Sequence, residues 1–215
     1  MQGFLDRSSP AGGVRRTDAS GQTLVEFALV IPLLMVLFMS LLEVALALNA
    51  SMAVNRASQQ AAHIAASAGN LLGADCLVLQ SIEEDMGIPN DPANISEVVI
   101  ERTALVGDYS YGEQRWGRFG ETDCTMPDRS TVTVPYTLQV AGYPEAQRCA
   151  VLQGCPTFVP PRSTVDNIGV TVRYTHGWVT PLNGALDLVV PDAGAVSPGG
   201  WSFEQRNIFR IEPVL

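Results

Sequence analysis

Four cysteines and two histidines are the residues of this chain most suited to metal or nucleophilic chemistry. No two cysteines have the C-x-x-C spacing of a zinc site, and His63 and His176 lie far apart in the sequence. The acidic run 83–85 lacks the alternating acidic positions of a calcium loop. The motifs G-x-S-x-G, H-E-x-x-H, the P-loop and G-x-G-x-x-G do not occur. The sequence therefore predicts no catalytic residue, no metal site and no cofactor, and we expect a protein that is not an enzyme.

A single carboxylate, Glu26, stands near the start of a strongly apolar run. From Leu24 to Leu42 the chain has 19 residues that are interrupted by Glu26, Pro32 and Ser40 alone. At about 1.5 Å per residue a helix of this length spans roughly 29 Å, which matches the hydrocarbon core of a bilayer. The run therefore predicts a transmembrane helix, with Glu26 close enough to its start to reach the interface. A cleaved secretory signal, with its A-x-A site at residues 45–47, is the alternative.

The distribution of charge predicts the orientation of this helix. Arg7, Arg15 and Arg16 precede the run, whereas Arg56 is the one arginine in the 30 residues after it. Cytoplasmic flanks are rich in arginine, so we expect the N-terminus in the cytoplasm and the remainder outside. The net charge of −9 argues against a nucleic-acid partner.

All four cysteines then fall on the outer, oxidising side, and their even number predicts two disulfides. Three pairings are possible. The favoured one joins Cys149 to Cys155 in a short local loop and leaves Cys76 with Cys124.

The apolar pattern continues beyond the membrane run as an alanine-rich amphipathic helix. Small residues recur at spacings of three and four up to Ala68, with no Gly or Pro between Pro32 and Gly69. One helix is therefore predicted over residues 23–68. Its alanine face is suited equally to packing on the chain's own domain and to contact with neighbouring helices. Pro32 predicts a bend, and Glu43 is expected at the headgroups without a specific partner.

The N-terminal residues resemble a known family. A basic leader is followed by Gly21, Gln22, Thr23, Leu24, Val25, Glu26 and Phe27. The sequence GQTLVEFALVIPLLM, which starts at Gly21, continues into the apolar run. This is similar to type IV prepilins and, in particular, to TadE-like minor pseudopilins of tight-adherence (Flp) pilus systems. The resemblance covers about residues 15–68, and a weaker similarity is found near the C-terminus. One departure is Glu-Phe, where the major Flp pilins usually have Glu-Tyr.

The resemblance implies cleavage by a prepilin peptidase between Gly21 and Gln22. It also implies an assembly contact at Glu26 and Phe27, since the new amine on Gln22 would lie four residues from Glu26. Without that role, Glu26 simply lies at the membrane interface.

The chain is thus predicted to have three regions: a cytoplasmic leader (1–21), a transmembrane and stem helix (22–70) and an extracytoplasmic α+β domain (71–215).

Short alternating segments predict an antiparallel sheet in the outer domain. The clearest are 131–140, where Pro135 indicates an edge strand or a bulge, and 166–176, with fainter candidates at 95–102 and 203–211. A short helix is predicted over 75–86, and residues 106–130 and 141–165 are predicted to be loops. We expect three to five strands, and exposed aromatics in the first loop, such as Trp116 and Phe119, would suit a protein contact.

These patterns predict a single-pass membrane protein, and the resemblance implies that the membrane is the bacterial cytoplasmic membrane. The resemblance implies a minor pseudopilin that acts structurally in a pilus or related filament, with other pilins or pseudopilins as partners through its N-terminal helix. The alternative is a signal-anchored surface protein whose outer domain is a binding module.

Overall fold

The longest element of the structure is α1 (Ala19–Ala68), a continuous helix of 50 residues. The structure is a computed structural model that describes residues 19–103, 110–126, 128–150, 165–180 and 200–211. At about 1.5 Å per residue α1 is roughly 75 Å long, and Pro32 lies inside it. Gly69 follows with a φ of 57°, and its N–H donates to the carbonyl of Ala65 at 3.0 Å, which is a typical helix ending. The single long helix predicted from the sequence is thus present.

The second part of the fold is an α+β domain, as predicted. A second helix, α2, spans Ala74–Asp85, and Pro92–Asn94 and Glu145–Gln147 form single 3-10 turns. The strands are β1 (Ile95–Thr103), β2 (Ser110–Gly117), β3 (Thr122–Thr125), β4 (Thr131–Val134), β5 (Thr137–Ala141), β6 (Asn167–His176) and β7 (Trp201–Arg210). Five of them form an antiparallel sheet in the order β5-β2-β1-β6-β7, and β3 pairs with β4 in a separate ribbon.

The helix α1 packs on one face of this sheet, against β6 and β7, with α2 beside it. The inward side chains of β6 are those predicted by its alternation, and all are buried: Ile168, Val170, Val172 and Tyr174. The opposing helix face consists of small side chains at spacings of three and four: Ala47, Ala50, Val54, Ala57 and Ala61. The alanine face is therefore occupied by the chain's own domain and is not available to neighbouring helices.

A buried serine adds a polar contact to this helix–sheet interface. Ser58 Oγ donates towards the carbonyl oxygens of Val170 (2.8 Å) and Gln205 (3.2 Å), which lie on adjacent strands. Asn207 Nδ2 in turn donates to Ser58 Oγ at 3.1 Å. Because a buried hydroxyl without partners is costly, these bonds fix the position of the helix along the sheet.

The segment 131–140, predicted as one strand, is divided at Pro135. Its first half is β4 in the ribbon, and its second half is β5 at the edge of the main sheet. Proline cannot donate to a strand ladder, and Tyr136 turns inward to donate its hydroxyl to Glu83 Oε1 at 2.5 Å. Leu138 and Val140, which the alternation over 131–140 would place on a buried face with Val134 and Tyr136, are each 39 % exposed.

The prediction of a loop over 106–130 is wrong, because β2 lies within it and pairs with both β5 and β1. The inward residues of β2 are Gln114 and Trp116, both buried. Trp116 thus belongs to the core and not to a protein contact, whereas Phe119 is 79 % exposed.

The outer face of the sheet is charged, which explains why its strands look polar. Arg173 on β6 lies between Glu97 on β1 and Glu204 on β7 and forms an ion pair with each. Arg206 Nε lies 2.6 Å from Glu101 Oε1. Each such pair stabilises the fold by less than about 1 kcal/mol, so their main effect is to keep this face soluble.

A disulfide joins Cys76 on α2 to Cys124 on β3, across a sequence separation of 48 residues. It attaches the ribbon to the helix layer, and it is the pair expected alongside Cys149–Cys155. Cys149 is also disulfide-bonded. Its predicted partner, Cys155, lies outside the described residues.

Candidate assembly segment and its attachment to the domain

The first part of α1 presents a long apolar surface to its surroundings. We call residues 24–42 the apolar segment. Met39 is partly buried, and every other side chain of the segment is exposed. Only 6 % of the most apolar 18-residue window of this helix is buried, whereas the core helix of a soluble protein would be mostly buried. By length and composition this helix can cross a membrane.

The predicted processing and assembly residues all lie at the start of this helix. Gly21 and Gln22 belong to its first turns, and Glu26 and Phe27 have exposed side chains, Phe27 being 64 % exposed. Gln22 and Glu26 are four residues apart, so they lie on the same face, about 6 Å apart along the axis. All four residues thus belong to the first turns of α1.

Glu43, the next residue after the apolar segment, has specific partners. It is 2 % exposed, and its carboxylate accepts hydrogen bonds from the backbone N–H groups of Val179 (3.1 Å) and Thr180 (2.9 Å). His176 Nε2 lies 3.4 Å from the same carboxylate. The expectation of an unpartnered Glu43 at the headgroups is therefore wrong.

The position of Glu43 on the helix explains its burial. It is the first member of the buried face that continues through Ala47, Ala50 and Val54 at spacings of four, three and four. This spacing is the signal that could have found the contact from the sequence. The domain therefore begins to cover α1 at Glu43, one residue after the apolar segment ends.

Burial and hydrogen bonding act in opposite directions on the pKa of Glu43. Burial raises the pKa, while the N–H groups of Val179 and Thr180, together with nearby His176, lower it, and the net pKa lies below its usual value. The carboxylate is thus held in its charged form at neutral pH.

The residues that contact Glu43 lie at the end of β6 and just after it, and two tryptophans lie next to them. His176 is the last residue of β6 and pairs in register with Trp201, the first residue of β7. Trp178 makes an edge-on contact with Trp201, with ring centroids 5.8 Å apart. We call residues 176–180 together with Trp201 the collar, because His176, Val179 and Thr180 contact Glu43 where the apolar segment ends. Trp201 lies beside them, next to Trp178.

A second buried polar cluster lies at the start of α2. The Glu145 carboxylate accepts the N–H groups of Gly73 (2.9 Å) and Asp75 (2.7 Å), and the side chain of Asp75 pairs with the fully buried Arg148. Burial raises the pKa of Asp75, Arg148 opposes this, and Glu145 adds to it. Gly73 has a φ of 81°, and a Cβ there would lie 2.3 Å from the carbonyl oxygen of Thr125. The cluster ties α2 to the chain that follows β5, which is a structural role.

No group of three or more His, Cys, Asp or Glu side chains that could hold a metal ion occurs within the described parts of the chain. The acidic run 83–85 contributes instead to the fold, since Glu83 pairs with Arg118 and accepts from Tyr136.

The fold and the exposed segment together define a domain carried on a helix that can anchor it in a membrane. Residues 21–63 match the family model of TadE-like proteins. The match confirms the resemblance seen in the sequence, and it covers the first 43 of the residues from Gly21 onward, all of them within α1. It begins at Gly21 and includes Glu26, Pro32 and Glu43. No curated protein and no solved structure gives a significant match.

Proposed function

We propose that this protein is a minor pseudopilin that contributes structurally to the assembly of a tight-adherence (Flp-type) pilus or related filament. The observation that supports this most is the exposed apolar segment, with Glu26 near its start and within the stretch that matches the TadE-like family. Such a segment needs either lipid or other apolar helices around it, because water disfavours so large an apolar surface. A pseudopilin would be surrounded by lipid before assembly and by neighbouring apolar helices after it.

The proposed topology places the leader, residues 1–21, in the cytoplasm and the domain, residues 71–215, outside the membrane. Residues 22–70 form the membrane and stem helix between them. The arginines that precede the apolar segment support this orientation. In this arrangement the protein is a single-pass protein of a bacterial cytoplasmic membrane before assembly.

The proposed processing step is cleavage between Gly21 and Gln22 by a prepilin peptidase. This bond lies near the start of α1, where helices are weakest because the first N–H groups have no partner within the helix. Glycine weakens the helix further. Opening this end would expose the bond without disturbing the contacts that begin at Glu43.

Cleavage would give Glu26 a cationic partner. The new ammonium on Gln22 can pair with Glu26 of the same chain or of a neighbouring subunit, and the neighbouring pair would set the axial register of a filament. Phe27, exposed beside Glu26, would pack against the neighbouring helix. Other pilins or pseudopilins are therefore the proposed partners of this segment.

Mass spectrometry of the mature N-terminus, on protein extracted from membranes of the native host, tests the processing step. A terminus at Gln22 supports a pseudopilin. A terminus at Leu48 would indicate a secreted protein, and one at Met1 or Gln2 an uncleaved anchor.

Co-purification with pilus components tests the role of Glu26. We expect Glu26→Ala to leave membrane insertion intact and to reduce recovery of the pilus components. Leu29→Ala is the matched control, because Leu29 is 73 % exposed in the same segment and carries no charge. Equal recovery with both variants would refute an ionic role for Glu26.

The second candidate function is a signal-anchored surface protein whose domain binds a ligand. The charged outer face of the sheet, with Arg115, Arg173 and Arg206 among glutamates, is the observation that favours it. An uncleaved terminus and normal function without pilus components would select this candidate.

A further inference from the structure

The collar lies at a depth set by α1 and not by a flexible linker. Glu43 accepts the N–H groups of Val179 and Thr180, and it directly follows the last residue of the apolar segment. One helical residue advances about 1.5 Å, so the collar lies within a few ångströms of the end of that segment. If the apolar segment spans a bilayer, the collar must lie at the headgroup level.

The side chains of the collar fit that environment. Val179 is 65 % exposed, and Trp178 and Trp201 are partly exposed. The ionisable groups of the collar contact, Glu43 and His176, face each other and are buried, so they place no exposed charge at this level. Tryptophan is enriched at membrane interfaces because its ring is apolar and its N–H is polar.

We propose that the collar is a membrane-contact surface, in which Trp178, Val179 and Trp201 rest in the headgroup region of a phospholipid bilayer. The inference rests on the proposed membrane anchorage and goes beyond it. It gives the outer domain a fixed face towards the lipid, in addition to its attachment through α1. The contact lasts while the protein is in the membrane.

Tryptophan quenching by brominated lipids tests this contact in the full-length chain. The protein is reconstituted at low protein-to-lipid ratio into phosphatidylcholine vesicles whose acyl chains carry bromine either near the headgroup or near the chain end. The chain has three tryptophans, and Trp116 is buried in the domain, so a W178F/W201F variant gives the emission of Trp116 alone. The difference between wild type and this variant reports on the collar.

We expect the collar emission to be reduced by shallow bromines and less by deep ones, while the emission of Trp116 is unchanged by either. A Val179→Asp variant should weaken the shallow quenching, because a carboxylate avoids the acyl boundary. It should still fold, since Val179 contributes only its backbone N–H to Glu43.

Flotation of the vesicles separates the two proposals. Protein that floats with the vesicles but shows no quenching of the collar overturns the contact and leaves the anchorage standing. Protein that does not float overturns both the anchorage and the contact.

Discussion

Replacing Glu43 by alanine should release the collar from α1. The change removes the acceptor of two backbone N–H groups and the acid that faces His176. Hydrogen bonds to charged groups contribute about 1.5–3 kcal/mol each. Since Val179 is largely exposed and its N–H can recover a water partner, we take the lower value for each bond and expect a loss of about 3 kcal/mol.

Hydrogen exchange of the Val179 and Thr180 amides, on full-length protein in detergent micelles, measures this loss directly. A decrease of about 3 kcal/mol in the local opening free energy corresponds to exchange that is roughly 150-fold faster. Glu43→Gln keeps one carbonyl acceptor and should give a smaller acceleration. Glu121→Ala removes an exposed acid elsewhere and is the matched control. Unchanged protection of both amides in Glu43→Ala would refute the proposed attachment.

Three further predictions concern the same attachment and the core. The lowered pKa of Glu43 means that its contribution to stability is present above the ordinary pKa of a glutamate and is lost as pH falls through the lowered value. The protection of the Val179 and Thr180 amides, measured relative to their intrinsic exchange rate at each pH, should therefore decrease in acid for wild type but not for Glu43→Gln. Ala57→Leu should overfill the fully buried helix–sheet contact and cost about 1–3 kcal/mol, as measured by urea unfolding, whereas Gln60→Leu on the exposed face should cost little. Replacing Cys76 and Cys124 by serine should cost about 4 kcal/mol by the loop-entropy estimate, and an unchanged urea midpoint would contradict a structural role for this disulfide.

The parts of the fold that could be predicted from the sequence are those with an unbroken period. The alanine face of α1 and the alternation of β6 have few competing interpretations, and both are present. Strand β2 was missed because its buried face uses Gln114 and Trp116 while its outer face is charged, so no alternation of apolar residues exists there. The segment 131–140 was misread because local alternation cannot show that Pro135 divides two sheets.

The candidate site was predicted unevenly for a similar reason. The assembly role of Glu26 stays a prediction from local spacing, since its expected partner is four residues away. Glu43 was misassigned because its hydrogen-bond donors lie 136 and 137 residues further along the chain. The local signal for this contact is the spacing of Glu43 from Ala47 and Ala50, which places the carboxylate on the helix face that packs on the domain.

The continuity of α1 has a mechanical consequence. The helix continues from the apolar segment into the domain without a break, and Glu43 attaches it to the collar at the junction. The domain and the part of α1 after Glu43 should therefore move as one rigid unit. Pro32 precedes Glu43 by 11 residues, which is about 16 Å along the helix axis. Proline has no N–H, so the helix lacks the hydrogen bond to the carbonyl of Ala28 at this point. We therefore expect the helix to flex at Pro32, in the middle of the apolar segment, and not at its junction with the domain.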